Sequence, residues 1–308
     1  MIRFGVILPD YKEFKLVKQV ALESEALGYD SVWITDHLFQ ISPPSGYRLE
    51  CWALLSALAS ITTNIRLGTI VLCNSFRHPS VLAKMAATLD VISNGRLEFG
   101  IGAGWYESEY RGYGFPFPKP SIRIAQLEEA VQLIKEMWTK EKATFTGKFY
   151  RVEEAYNNPK PIQKPHPPIW IGGQGEKLLL KLVAKQGDGS NFWGTTPEIT
   201  KRKLRVLDMY LTKIGRALSS VQRSWAGDCV ISQDPEEVKS TVKKLRGDQA
   251  ETFTSSNLVG TPDQVLERIQ QYIDVGISYF MCAFPDYSNL ESLRLFAEEV
   301  VPMLPSRR

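Results

Sequence analysis

The stretch Leu67-Gly68-Thr69-Ile70-Val71-Leu72, then Phe76-Arg77-His78-Pro79, then Ser93-Asn94-Gly95-Arg96-Leu97-Glu98-Phe99-Gly100-Ile101-Gly102-Ala103-Gly104-Trp105 decides the fold. It reads strand, polar loop, helix, tight turn, strand, polar loop. Glycines and polar residues gather just past the C-terminal end of each strand. In a parallel α/β protein that edge is where ligands bind. Two successive strand ends therefore point at one pocket.

The same grammar extends in both directions. Short apolar, β-branched runs at 2–8, 31–35, 66–72, 97–101, 168–172, 189–193, 222–231 and 279–284 have the near-continuous hydrophobicity of strands buried on both faces. Helical periods lie between them: Leu16, Val20 and Leu27 share one face, as do Trp52, Leu55 and Ala59, and Leu82, Met85 and Leu89. Pro79, Pro197, Pro235 and Pro262 suit the first position of a helix, and Thr196, Asp234 and Thr261 precede three of them as N-caps. Eight strands, each followed by a helix, predict one closed (β/α)8 TIM barrel spanning 1–308. An open doubly wound sheet fits less well, because steady βα alternation over eight strands closes on itself. Two insertions, about 140–168 and 246–260, break the rhythm. The first carries a hairpin at 144–150 and then five prolines between Pro159 and Pro168, which favour an extended wrap. The second is polar and aperiodic, an insertion or a mobile lid.

Composition narrows the function classes. The 308 residues are 44% hydrophobic, enough for a large core, and the net charge of +3 is spread without a basic block, which argues against nucleic acid. Cys51, Cys73, Cys229 and Cys282 are scattered, with no CxxC and no histidine at zinc spacing, so no metal centre and a reducing compartment are expected. The opening residues read as a strand rather than a signal peptide. No apolar run approaches the ~18 residues that span a membrane, and the expectation is a cytoplasmic protein.

Asp36-His37 follows the second strand directly. An imidazole at that rim can titrate near neutral pH and hydrogen-bond to charge forming on a ligand, whereas the structural alternative has Asp36 capping the loop and His37 packing. His78 suits helix-start geometry, and His166, between prolines, a structural role. Gly100, Gly102 and Gly104 alternate on leaving a strand, without forming the GxGxxG dinucleotide fingerprint. Gly172-Gly173-Gln174-Gly175 ends a strand before a helix expected at 176–185, where bare amides suit an anion such as phosphate, though a plain βα turn would look alike. The aromatic loop at 105–120, with Glu107 and Glu109 inside it, suits a planar ligand or its own anchoring. GxSxG, HExxH and Walker sequences are absent from the chain, which removes the commonest hydrolase, protease and nucleotidase readings.

Taken together, Asp36-His37, 67–72, Phe76-Arg77-His78-Pro79, Leu89-Asp90 with 93–96, 100–105 with Glu109-Tyr110, Pro159-Lys160-Pro161-Ile162-Gln163 and 167–173 resemble the luciferase-like monooxygenase superfamily, especially its coenzyme F420-dependent oxidoreductase branch. The resemblance covers nearly the whole chain. It implies a barrel rim holding the deazaflavin ring, with Thr69, Ile70 and Val71 behind it and a non-prolyl cis peptide at Ile70–Val71. It implies Asp36 and His37 as the ring-side pair, His37 catalytic, with Gly102, Gly104 and Trp105 along the ring. Ser108 would sit at the ring's pyrimidine edge, and Gly172, Gly173, Gln174 and Gly175 would hold the phosphate. The activity implied is hydride transfer between F420 and a small organic substrate. An FMN-dependent monooxygenase and a non-catalytic flavin- or deazaflavin-binding protein are the alternatives, and a homodimer is compatible with all three. The family's sugar-phosphate dehydrogenase has Trp four residues after the ring-side His and Glu directly after the Gly-x-Gly turn. Ile41 and Trp105 stand there in this chain, which speaks against glucose-6-phosphate oxidation and for a partly hydrophobic substrate.

Overall fold

The computed structural model describes residues 2–287 and 289–304. Its strands are β1 (Arg3–Ile7), β2 (Ser31–Ile34), β3 (Arg66–Thr69), β4 (Leu72–Cys73), β5 (Leu97–Gly102), β6 (Lys142–Thr146), β7 (Arg151–Tyr156), β8 (Ile169–Gly172), β9 (Gly189–Trp193), β10 (Gln222–Ile231), β11 (Leu258–Gly260) and β12 (Tyr279–Ala283). The helices are α1 (Phe14–Ala26), α2 (Cys51–Ile61), α3 (Pro79–Ile92), α4 (Glu107–Gly112), α5 (Pro120–Thr139), α6 (Leu179–Gln186), α7 (Pro197–Lys213), α8 (Pro235–Arg246), α9 (Ala250–Ser256), α10 (Pro262–Asp274) and α11 (Glu291–Leu295). Parallel pairing runs β1-β2-β3-β5-β8-β9-β10-β12 and returns from β12 to β1, so eight strands form a closed ring and the open-sheet alternative falls. The strands are buried on both faces because one packs on the helices and the other faces the barrel interior.

The barrel interior is plugged by aromatic rings. Trp33, Trp170 and Tyr279 are fully buried and meet edge to face at centroid distances of 5.7, 5.9 and 5.4 Å. Their polar atoms are satisfied inside the plug: Trp33 Nε1 and the Tyr279 hydroxyl donate to Ser31 Oγ, and Trp170 Nε1 donates to Glu98 Oε2 at 2.6 Å. Glu98 in turn pairs with Arg3 and Arg66. Rings this large fit because glycines face them. A Cβ on Gly68 would fall inside the Trp33 ring, and one on Gly189 inside the Trp170 ring.

Several motif residues turn out to be joints of the scaffold. Asn94 and Gly95 take positive φ (53° and 79°) in the turn before β5. Arg96, 8% exposed, then donates to the carbonyls of Ala59, Thr62, Ile65 and Ser93 and to Thr62 Oγ1, tying the α2 end to the α3 end. Gln163 anchors the proline-rich wrap on Asp90 and on the Leu97 carbonyl. The hairpin β6–β7 is antiparallel, and its turn amides at 148–150 donate to Glu129 of α5. Pro79, Pro197, Pro235 and Pro262 each open a helix, and the Thr196 and Asp234 side chains accept from the first turn.

Two expectations need correction. The run 66–72 is not one strand: β3 stops at Thr69, the Ile70–Val71 peptide is cis, and β4 resumes at Leu72. The segment 246–260 is not an irregular lid. It forms a 3-10 turn, α9 and β11, and Phe253 packs with Val230, Val238 and Val242 in a small core of its own. Long-range apolar contact replaces the local period that its polar sequence lacks.

Gly68→Ala forces a methyl into the Trp33 ring, and overpacking of that kind costs about 1–3 kcal/mol. Urea unfolding of the variant is expected to show an unfolding free energy lower by that amount and a correspondingly lower midpoint, whereas an unchanged midpoint would mean the plug is loosely packed.

Candidate active site

At the C-terminal end of the barrel a cavity of about 940 Å³ opens, walled by residues within or beyond the C-terminal halves of β1, β2, β4, β5, β8, β9, β10 and β12. Of the residues singled out in the sequence, Asp36, His37, Ile70, Val71, Gly102, Gly104, Trp105, Gly172, Gly173, Gln174 and Gly175 all line it. Thr69 and Ser108 do not. Thr69 is buried behind the wall, where its hydroxyl donates to the Gly100 carbonyl at 2.7 Å and accepts from the Gly100 amide at 2.9 Å. It bridges the gap where β3 has ended and β4 has not begun to pair with β5. Ser108 is exposed, because one residue along a helix turns the side chain by about 100° away from its buried neighbour Glu109.

His37 is held by that neighbour. Its Nδ1 lies 2.9 Å from Glu109 Oε2, and the Leu38 amide donates to Glu109 Oε1 at 2.6 Å. Glu109 is 2% exposed, and the edges of Trp105 and Tyr106 flank the imidazole. With Nδ1 committed to the carboxylate, Nε2 keeps no partner among the described residues and is the nitrogen available to a ligand.

Asp36 has a different task. Arg77 grips it at both oxygens (2.8 and 3.0 Å), and the Cys73 amide donates to Oδ2 at 2.8 Å. Burial alone would lower the Arg77 pKa, but its hydrogen bond and charge interaction with Asp36 raise it instead. Asp36 thus ties the β2 end to the β4 end and fixes the loop that presents His37. It is a positioning residue. His78, as expected, accepts from the Ser80 amide at the start of α3. His166 stays beside Trp138.

The opposite wall is nearly bare backbone. A Cβ on Gly172 or Gly102 would press on the Val71 side chain, so these glycines make room for Val71, which with Ile70 forms an apolar floor. Gly173 has φ of +130°. The helix expected at 176–185 begins later, at Leu179, with a turn between it and Gly175. The glycine turn therefore faces the cavity mainly with its own backbone. Arg123 of α5 stands at this side, donating to the carbonyls of Gly104 and Pro118 over the Phe117 ring.

Sequence reasoning missed Glu109 as the partner of His37, and also Arg77, Asp10, Arg48, Asp228 and Arg246. Asp10 lies three residues past the end of β1, so a slightly wider strand-end rule than the one that picked out Asp36 would have found it. Arg48 and Arg246 carry no such local signal.

A family model described as luciferase-like monooxygenase matches residues 2–257. A relative named F420-dependent glucose-6-phosphate dehydrogenase, from Microbacterium testaceum, is 31% identical over 92% of this chain and 91% of its own. Among solved structures, an F420-dependent secondary alcohol dehydrogenase in complex with an F420-acetone adduct superposes with a TM-score of 0.86 at 20% identity, covering 99% of both chains. The monooxygenase RslO1 from Streptomyces bottropensis does so at 0.84 and 22%, covering 98% of this chain and 99% of its own. At those identities the two structures show the fold alone. The chain belongs to the luciferase-like monooxygenase family and is an oxidoreductase of that family.

Burial pushes the Cys73 thiol, at the cavity floor, up to about 11, and Cys51, Cys229 and Cys282 are buried with thiols raised for the same reason. Roughly one Cys73 in a thousand is then thiolate at pH 8. Native protein is expected to resist Ellman's reagent at that pH until denaturant is added; rapid labelling would contradict the packing described.

Proposed function

We propose that this luciferase-like oxidoreductase binds coenzyme F420 on the Ile70–Val71 floor and passes hydride between it and a small organic substrate held against His37. The observation that carries this reading is the Glu109–His37 contact, which leaves one imidazole nitrogen without a partner among the described residues, in a cavity whose floor is Ile70 and Val71. The names of the curated relatives, which are F420-dependent, support the choice of cofactor.

The residues present fit such a group. The volume lies at the upper end of the range for cofactor pockets and leaves room for a second molecule. The floor glycines keep Val71 exposed to a ring, and the amides at 172–175, with Arg123 nearby, suit a phosphate-bearing tail. When bound, F420 supplies two-electron acceptance or donation of hydride at a ring carbon.

This chain's own residues have three tasks. Ile70, Val71 and the glycine strand ends exclude water from one face. Trp105 and Tyr106 wall the entrance. His37 Nε2, oriented by Glu109, takes the hydroxyl proton of an alcohol as its carbinol C–H bond is lost, or returns a proton to the carbonyl oxygen in the reverse direction. No metal or covalent nucleophile is needed for this exchange.

Purified apoprotein titrated in parallel with F420 and FMN is expected to bind F420 at micromolar concentrations or better; tight binding of FMN alone would reject the proposal in favour of an oxygen-activating flavoenzyme. His37→Ala is expected to lower kcat by about 10²-fold or more while the cofactor Kd moves less than about threefold. Glu109→Gln, which keeps the shape and loses the charge, is expected to lower kcat by about tenfold. Cofactor binding without any turnover, unaltered by either substitution, would point to the non-catalytic alternative.

A further inference from the structure

The cavity is electrically polarised. Three arginines line it: Arg48, Arg123 and Arg246. Arg123 has no carboxylate partner among the described residues, and it belongs to the glycine-rich side. The other two belong to the arc of the rim formed by β10, β12, β1 and β2, and each is already neutralised. Arg48 pairs with Asp10, which is 2% exposed and also accepts from Thr35 Oγ1 at 2.6 Å. Arg246 pairs with Asp228 at 3.0 Å and lies over the Phe253 ring. Tyr11 stands between the pairs, its hydroxyl raised first by burial and then by both Asp10 and Asp228. Near His37, Asp36 is paired with Arg77, and the Glu109 carboxylate is held by hydrogen bonds to His37 and to the Leu38 amide.

A phosphate or carboxylate entering this arc would exchange its hydration for arginines that carboxylates already hold. An anion is stabilised by donors whose positive charge is uncompensated; beside a paired arginine it also meets the repulsion of the partner acid. Asp10 and Asp228 have pKa values raised by burial, only partly offset by their arginines, so this arc is a costly place for further negative charge. The apolar remainder of the wall, Ile41, Phe284 and Trp193, offers contact to carbon rather than charge.

We propose that the substrate meeting His37 is an uncharged alcohol or carbonyl compound, and that Asp10 and Asp228 set this preference by cancelling Arg48 and Arg246. The inference rests on this cavity being the reaction site. It sets the chain apart from the sugar-phosphate substrate in the name of its 31%-identical relative. Asp228 is a specificity-determining residue: it touches the substrate compartment and acts by withholding a cation.

The test uses protein loaded with whichever cofactor the titration above selects, so that failure of the F420 reading and failure of this one are separable. Glucose 6-phosphate and inorganic phosphate are titrated calorimetrically into the wild type, Asp228→Asn and the double variant Asp228→Asn/Arg246→Gln. The wild type is expected to show no saturable binding below about 10 mM. Asp228→Asn, which frees Arg246, is expected to bind glucose 6-phosphate at least tenfold more tightly, and the double variant to lose that gain. Far-UV circular dichroism and cofactor affinity establish that each variant is folded, and Asp10→Asn provides the same test at the second pair. Submillimolar binding or oxidation of glucose 6-phosphate by the wild type would overturn the proposal. So would the absence of any gain in both folded single variants.

Discussion

Closure of the eight-stranded ring around a solid aromatic plug is the constraint on which the molecule depends. Trp33, Trp170 and Tyr279 fill the lower barrel so completely that Gly68 and Gly189 have no room for a methyl group. Because all strands run parallel, each delivers its following loop to the same end. The plug therefore does two things: it stabilises the ring by burying large rings edge to face, and it stops the cavity from running through the barrel. What remains open is a cup with one mouth.

The cup is lined by two kinds of wall built from opposite strategies. On one side, side chains are removed: glycines at 102, 172 and 173 leave backbone against the apolar floor of Ile70 and Val71. On the other, charged side chains are present but paired, and His37 keeps one ring nitrogen uncommitted there. Asp36 shows how such a site is held together. Conspicuous beside His37 in the sequence, it spends both oxygens on Arg77 and a backbone amide and acts by fixing the loop.

The eight barrel strands were legible because strands buried on both faces are rich in apolar residues, and each run covers an observed strand, β5 alone running one residue past its run. The break at Ile70–Val71 was invisible to periodicity, since Thr-Ile-Val-Leu is equally good strand sequence on either side of it. The α9 segment was illegible for the opposite reason: Glu-Thr-Phe-Thr-Ser-Ser has weak helix propensity, and only Phe253 anchors it, on residues from β10 and α8. Strand-end position identified most of the cavity wall. The resemblance placed Ser108 at the ring edge, whereas Glu109, one step of helical rotation along, is the side chain that turns inward to His37. The ion pairs lay beyond reach: Asp10 and Arg48 are 38 residues apart, and Asp36 and Arg77 are 41. Charged residues are common at such separations, and no local pattern selects the ones that meet.

The ten-residue strand β10 changes neighbours along its length. Its first half, Gln222–Ala226, pairs with β9, and its last three residues pair instead with β11, outside the ring. Asp228 sits at the changeover, where its amide donates to Asn257. The α8–α9–β11 unit is thus grafted onto an overhang of a single strand, while the barrel closes below it without its help. In evolutionary terms the ring and the overhanging unit are separable: the unit, which brings Arg246 to the cavity wall, can vary while the inherited ring and its folding are left alone.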